Sequence, residues 1–491
     1  MEAKIEKSGN TDFNPKQDSR RDFIKKAALG ATGMGLLFND TETGGVAEAL
    51  NPASGFSQAT PAGKIIITDL KCAIIGSYVV VRIATNVGIS GYGQTDGSGI
   101  YLKPFVLFYK DYIVGMDPTD VERVMLKIRR LGGFKPWGNG VSAIEMALWD
   151  VAGKVAGLPV YKLLGGKIRD HVRAYGRARS GGGEPGAMGK AIRESAEGFT
   201  IVKGTIGFHG RMESTVPDFF YGQLNTPMRQ PSGAGKSAYD SPAQSTRSGG
   251  QQPAAGVQQS MSKNAPYPNR GLITEKGMKA MIDAVEKMKI SLGDEVGLAL
   301  DVGPGMMLSD AIRLARALEP YNLLWLEDML TGDYYPYVMA DLYRELTQST
   351  STPIHTGEQI YLRQNFRELI ETNAVNVLGP DPADMGGIAE MKWVAEYADL
   401  HGIQIAPHGV FDGVFGLAAQ VQAGAAMPEN YIAFEYPMIN PQWWFEITEG
   451  LPDPIIKNGL IEVWDRPGLG VDFIVKEARK YLREEDKDFF D

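Results

Sequence analysis

Val296-Gly297-Leu298-Ala299-Leu300-Asp301 is an apolar run too short for a helix, ended by a carboxylate. A strand covered by helices on both faces of its sheet reads in this continuous, non-alternating way. The form returns at 323–326 before Glu327, 353–356 before Glu358, 375–378 before Asp381, 403–406 before His408 and 431–434 before Glu435. Upstream, 172–175 and 200–203 bring the predicted strands to eight. Amphipathic stretches at 310–318, 337–346 and 388–401 separate the later ones, as parallel strands require. Successive strand ends are spaced close to the ~30 residues allotted to each of eight βα units in a barrel of about 250. The pattern predicts the α/β class, with a TIM-type (β/α) barrel over 171–440. A doubly wound sheet is the rival, and the count of eight strands favours the barrel.

Outward from the barrel, residues 65–67, 72–75 and 78–85 read as strands, and Gly88, Gly91 and Gly93 punctuate the stretch after them. Asp117-Pro118 offers a helix N-cap with proline at N1, and Ser142 with Glu145 forms a capping box for a second helix. Gly157-Leu158-Pro159 stops that helix. Strands followed by helices predict an α+β unit over 64–170. The segment 441–491 has no barrel position left and is expected to pack on this unit. Residues 228–265, dominated by Gly, Ser, Gln, Ala and Pro, cannot bury enough surface to fold alone. They read as a flexible insertion that interrupts the barrel at about 210–270. Within it Gly235-Lys236-Ser237 imitates the end of a phosphate-binding loop, but Gln230 stands where the first glycine is needed.

Ahead of residue 64 the chain reads as a targeting segment. Arg20-Arg21 precede an uncharged, mostly apolar stretch at 27–38, and Ala47-Glu48-Ala49 comes next as an A-x-A-like cleavage site. That order resembles a twin-arginine export signal over 1–50, with a linker at 51–63 and a periplasmic destination. The stretch is shorter than the ~18 residues that span a bilayer, so no membrane anchor is expected. The single cysteine, Cys72, excludes an intramolecular disulfide and a thiolate metal cluster. With 50 Lys+Arg against 59 Asp+Glu the chain lacks the basic surface that a phosphate backbone demands, so nucleic acid is not an expected partner.

In a barrel of this type the strand ends point into the mouth where active sites lie. Here they would bring together Lys203, Asp301, Glu327, Glu358, Asp381, His408 and Glu435. Asp301, Glu327 and Glu358 come from consecutive strands, and three converging carboxylates repel unless a cation joins them. Oxygen-only ligation favours Mg²⁺, one per subunit. Asp381 and His408 end neighbouring strands. A carboxylate on one imidazole nitrogen sets the tautomer and leaves the other free as a base. His171, His209, His355 and His401 do not end strands, and His355 and His401 read as structural.

Val141-Ser142-Ala143-Ile144-Glu145-Met146-Ala147-Leu148-Trp149-Asp150 resembles the signature helix of the enolase superfamily, in its mandelate racemase and muconate lactonizing branch. Pro380-Asp381 followed by Gly386-Gly387, and Ala406-Pro407-His408, resemble further motifs of that branch. The resemblance covers roughly 64–475 apart from the insertion. It implies that 64–170 is a capping domain whose loops near 76–78 and 91–97 close over substrate. It also implies that Asp301, Glu327 and Glu358 are the metal ligands, Asp381 and His408 the base dyad, and Glu435 an acid that hydrogen-bonds the substrate carboxylate. Homo-oligomers are common in the family. The racemase-type Lys-x-Lys is Lys203-Gly204-Thr205 here, so a second base is missing. Lys203 is left to hold the substrate carboxylate or offset enolate charge, and Thr205 to contact substrate. His209, on the loop entering the insertion with no sequence neighbour to fix it, is one candidate general acid, and His408 is the other.

The expected function is therefore Mg²⁺-dependent dehydration of an aldonic or uronic-type acid sugar, a small carboxylate, to a 2-keto-3-deoxy acid. Within enzymes the alternative is an epimerase, racemase or cycloisomerase of a sugar acid. From another class, a non-catalytic periplasmic sugar-acid binding protein would keep the pocket without turnover. A barrel glycosidase is the weaker rival, because His408 occupies a strand end where that chemistry wants a second carboxylic acid.

Overall fold

The computed structural model describes residues 63–75, 78–95, 100–131, 138–178, 184–221, 272–330, 339–409, 413–436 and 443–491. The expected export signal, the linker up to residue 62, the turn at 76–77, loop residues 96–97 and the insertion over 222–270 lie outside the described residues.

The N-terminal unit is an antiparallel sheet of β1 (Ile67–Ile75), β2 (Tyr78–Thr85) and β3 (Ser90–Gln94), in that order. Two main helices come next, α1 (Val121–Arg130) and α2 (Gly138–Ala156). On α1 the buried positions are Val121, Val124, Met125 and Ile128, the spacing of one helix face. The sheet therefore has one covered side, and its apolar residues join the helices in a common core.

The barrel strands are β4 (His171–Arg177), β5 (Ile201–Thr205), β6 (Gly297–Asp301), β7 (Leu326–Glu327), β8 (Ile354–Thr356), β9 (Val377–Leu378), β10 (Gln404–Ile405) and β11 (Phe434–Glu435). They pair in parallel in the order β10-β9-β8-β7-β6-β5-β4-β11, and a parallel bridge between Ile405 and Tyr431 closes the ring. Helices α3 (Ala187–Arg193), α4 (Glu275–Leu292), α5 (Leu308–Leu318), α6 (Ala340–Gln348), α7 (Arg363–Glu371), α8 (Ile388–Asp399) and α9 (Val414–Ala426) follow β4 to β10 in turn. All eight predicted strands are present, and the barrel with its N-terminal α+β domain stands as expected. Inside the ring, Tyr175 and Trp325 pack against the small residues Ala299 and Ala406, so the interior is filled rather than hollow. Helix α9 is buried all round, as its uncharged sequence requires, because β3 and α8 both pack against it.

The expectation that the C-terminal segment holds no barrel position needs correction. β12 (Thr448–Glu449) pairs with β14 (Asp472–Phe473), but β13 (Leu460–Glu462) lies antiparallel on β4. β11 covers β4 only at Ala174 and Tyr175, which leaves the edge groups of His171–Arg173 for β13 to satisfy. The tail also reaches the N-terminal sheet. Ile74 N donates to Asp486 Oδ2 at 2.8 Å, Lys103 pairs with the same carboxylate, and Arg82 donates to Phe489 O at 2.7 Å.

Helix α2 joins the two domains near the barrel mouth. Its Glu145 accepts from Ile388 N at 2.8 Å and Ala389 N at 2.9 Å, so it caps α8 from another domain. Ser142 Oγ accepts from Gly386 N at 2.8 Å. The loop from Asp381 to Gly387 is thus held by the N-terminal domain. No helix among the described residues is long and apolar enough to cross a membrane.

Candidate active site

The strand ends converge as the alternation of the barrel demands. Lys203, Asp301, Glu327, Asp381, His408 and Glu435 are all buried, and Glu358 nearly so. Lys203 is the hub. Its ammonium lies 2.7 Å from Glu435 Oε2, 2.9 Å from Glu327 Oε1 and 3.6 Å from Asp301 Oδ2. Burial opposes the charged form of this lysine, yet Glu327 and Glu435 raise its pKa well above the usual value. Tyr175 OH also donates to Glu435 at 3.5 Å, and Arg177 Nε stands 3.6 Å from the other oxygen of that carboxylate.

His408 faces two carboxylates. Nδ1 donates to Asp381 Oδ2 at 2.7 Å, while Nε2 is 3.4 Å from Glu358 Oε2. Burial disfavours its charged ring, but Glu358 and Asp381 outweigh that and lift its pKa well above the usual range. Glu358 is correspondingly held below the usual carboxylate range, against its burial, by His408 and Lys203. Glu327 is lowered in the same way by Lys203 and His355.

His355, expected to be structural, sits under Glu327. Its ring stacks on Trp325 at 5.3 Å, Nε2 contacts Ala406 O at 3.1 Å, and Nδ1 is 3.5 Å from Glu327 Oε2. Trp325 Nε1 donates to that same oxygen at 3.1 Å. His401 is remote from this set and packs edge-on against Tyr397.

His209 proves to be fixed, contrary to the sequence expectation of an unanchored loop histidine. Its Nδ1 lies 2.9 Å from Asp301 Oδ1, with the ring half exposed, and His209 N donates to Val302 O at 2.9 Å. Gly303, at φ 75°, makes this approach possible, because any Cβ there would collide with the His209 backbone. Burial works against the protonated ring, but Asp301 raises its pKa above the usual value. Thr205 shares the strand face of Lys203 and is exposed, outside the buried network.

A carboxylate that the sequence reading missed is Asp328. Oxygens of Glu327, Asp328 and Glu358 lie within 4.8 Å of one another. Asp301 instead spends its contacts on His209, Lys203 and Gly303 N. Asp328 adopts φ 54°, which breaks the strand alternation, and Thr356 Oγ1 donates to it at 2.8 Å. The Glu327-Asp328 pair was the visible signal. This all-oxygen donor set suits a hard divalent cation such as Mg²⁺. The arrangement as a whole brings a histidine held by a carboxylate, a buried ammonium and a cluster of carboxylates into one mouth.

Residues 66–165 match the family model for the mandelate racemase / muconate lactonizing enzyme N-terminal domain, and residues 262–478 match the enolase C-terminal domain-like model. The D-xylonate dehydratase of Haloferax volcanii is 29% identical over 442 residues, 88% of this chain and 92% of that one. The D-mannonate dehydratase of Caulobacter vibrioides is 29% identical over 417 residues, 82% and 91% of the two chains. Among solved structures, a mandelate racemase/muconate lactonizing enzyme-like protein from Rubrobacter xylanophilus superposes with TM-score 0.66 at 28% identity, over 86% of this chain and 99% of that one.

Proposed function

The chain belongs to the enolase superfamily, in its mandelate racemase and muconate lactonizing branch, and from that premise we propose that it is a hydro-lyase that dehydrates an acid sugar. The relatives named as dehydratases of D-xylonate and D-mannonate support the substrate class. The observation that carries the mechanism is the 2.7 Å contact between His408 Nδ1 and Asp381, which turns Nε2 of a buried ring towards Glu358 in the barrel mouth.

In its neutral form His408 takes the proton α to the substrate carboxylate, with Nδ1–H held by Asp381 and the lone pair on Nε2; a cation held by Glu358 would offset one of the two carboxylate charges that raise the pKa of this ring. Lys203 places a fixed positive charge beside the site where negative charge develops on the carboxylate oxygens. Glu435 and Glu327 hold that ammonium in place. Mg²⁺ held by Glu327, Glu358 and a third carboxylate, Asp328 or Asp301, would supply electrostatic stabilisation of the same developing charge. The β C–O bond then breaks, and His209, oriented by Asp301, donates the proton with which the hydroxyl leaves as water. The resulting enol tautomerises to a 2-keto-3-deoxy acid. With one base and no lysine at 205, reprotonation from the opposite face has no donor, so inversion is not expected.

Screening aldonic and uronic acids for 2-keto acid formation, in D₂O with proton NMR, tests this reading. Keto acid from one or a few acids is expected, and recovered substrate should carry deuterium only with retained configuration. Build-up of an α-epimer without keto acid would overturn it.

A further inference from the structure

Gln94 ends β3 with its side chain 1% exposed, and neither its Nε2 nor its Oε1 has a hydrogen-bond partner. Native proteins leave few buried amides in this state, because the desolvation is uncompensated. The amide lies directly on Gly413, where a Cβ would collide with both of its polar atoms. Gly413 has φ −91°, which any residue can adopt, so the close approach of Gln94 and not the backbone requires glycine there.

Gly413 is the N-cap of α9, a 13-residue helix with no side-chain cap and no acidic residue in its first turn. Its first amides are unsatisfied within the helix, and its positive end meets the Gln94 amide. Helix α9 also follows the strand end that carries His408, and Gln420 on α9 donates to the His408 carbonyl. Tyr92, two residues before Gln94, packs on Phe415 with ring centroids 5.7 Å apart. The unpartnered amide therefore lies where the N-terminal domain meets the barrel mouth, on the side of the base.

We propose that Gln94 and the first turn of α9 form a subsite for a hydroxyl remote from the reacting carbons of a monocarboxylic sugar acid, an inference that rests on the dehydratase reading. Nε2 needs an acceptor and Oε1 needs a donor, and a hydroxyl is both. A second carboxylate would satisfy Nε2 and the helix amides but would set its lone pairs against Oε1. The subsite thus selects aldonic monoacids over aldaric diacids.

Gln94→Leu keeps the bulk and removes both polar atoms. It is compared with wild type on xylonate, galactonate and mannonate, and on galactarate as the diacid, with Tm measured alongside. On the monoacid that wild type uses, kcat/KM should fall about 10- to 100-fold, mainly through KM. Tm should stay level or rise, since hydrocarbon replaces an unpartnered amide. Gln94→Glu, which keeps the shape and suits a helix N-terminus but offers acceptors alone, should lose a similar factor and serves if the leucine variant does not fold. Unchanged kcat/KM in the variants, or a loss that merely follows a fall in Tm, overturns the subsite. A wild type that prefers galactarate overturns the hydroxyl assignment. Absence of turnover of any acid by wild type counts against the dehydratase reading instead. In that event calorimetric titration of the same acids decides the subsite, weaker binding to Gln94→Leu supporting it and equal or absent binding overturning it.

Discussion

Glu327 at the barrel mouth and Glu145 on α2 are buried to the same degree, at 0% and 1% exposure, yet burial has opposite outcomes for them. Glu327 has the Lys203 ammonium at 2.9 Å and is held below the usual carboxylate range. Glu145 has two backbone amides and the Trp149 indole, and burial pushes it up to about 8. A full positive charge outweighs the desolvation of a carboxylate, whereas dipoles offset it only in part. The mouth is therefore a region of fixed, opposed charges, prepared for charge that develops in a reaction. The clasp between α2 and α8 is a mostly neutral hydrogen-bonded joint near pH 7, suited to holding the loop that carries Asp381.

The largest effect that separates the two regions is expected at the base. His408→Asn should lose both α-proton exchange and elimination by about 10²–10⁴-fold, the range for a positioned general base. Deuterium incorporation followed by NMR checks it, and persistent exchange in the variant would move the base role to another group. Next in size, Lys203→Met removes the cation from among Glu327, Glu435 and Asp301. The metal-free variant should lose roughly 3–5 kcal/mol of stability, the usual cost of leaving buried charge uncompensated, and added Mg²⁺ should restore part of it. Denaturant melts in EDTA and in Mg²⁺ measure this. Equal stability of variant and wild type in EDTA would show that the mouth does not depend on its lysine.

The smallest effect is expected at the clasp. Below about pH 4.5, where Glu145 is protonated in the folded and unfolded chain alike, Glu145→Gln should change stability by less than ~1 kcal/mol, because the amide replaces a protonated acid of the same shape. The difference should appear in the pH dependence. The folded-state pKa of Glu145 is raised from its usual 4.5 to about 8, so its contribution is complete below 4.5 and is lost as pH rises towards and through 8. Between those values the wild type should lose stability relative to the variant, at no more than ~1.4 kcal/mol per pH unit. Parallel stability profiles from pH 5 to 9 would mean that Glu145 is ionised in the folded protein and that the contrast with Glu327 is false.

Much of the mouth could be read along the chain. Asp301, Glu327 and Glu435 are the last residues of their strands, and a parallel barrel sends that position to one end whatever the intervening helices contain. The β13 addition to β4 was not legible in the same way, because three residues of ordinary strand sequence carry no mark of their partner. Asp328 was hidden by a positive φ that no local rule required of an aspartate.

The sequence by itself determined the two-domain α/β architecture, the eight strands and the residues at their ends, because hydrophobic period and strand length are local quantities that translate directly into which side chains point where. The tertiary structure alone decided which charges meet. His209 gained Asp301, Lys203 became the hub of three carboxylates, Glu145 reached the start of α8 across 243 residues of chain, and Gln94 came to rest unpartnered on Gly413. The physical reason is that the ionisation and satisfaction of a buried polar group depend on the charges and dipoles within a few ångströms of it, and those come from segments that only the closed barrel and the domain packed on its mouth bring together.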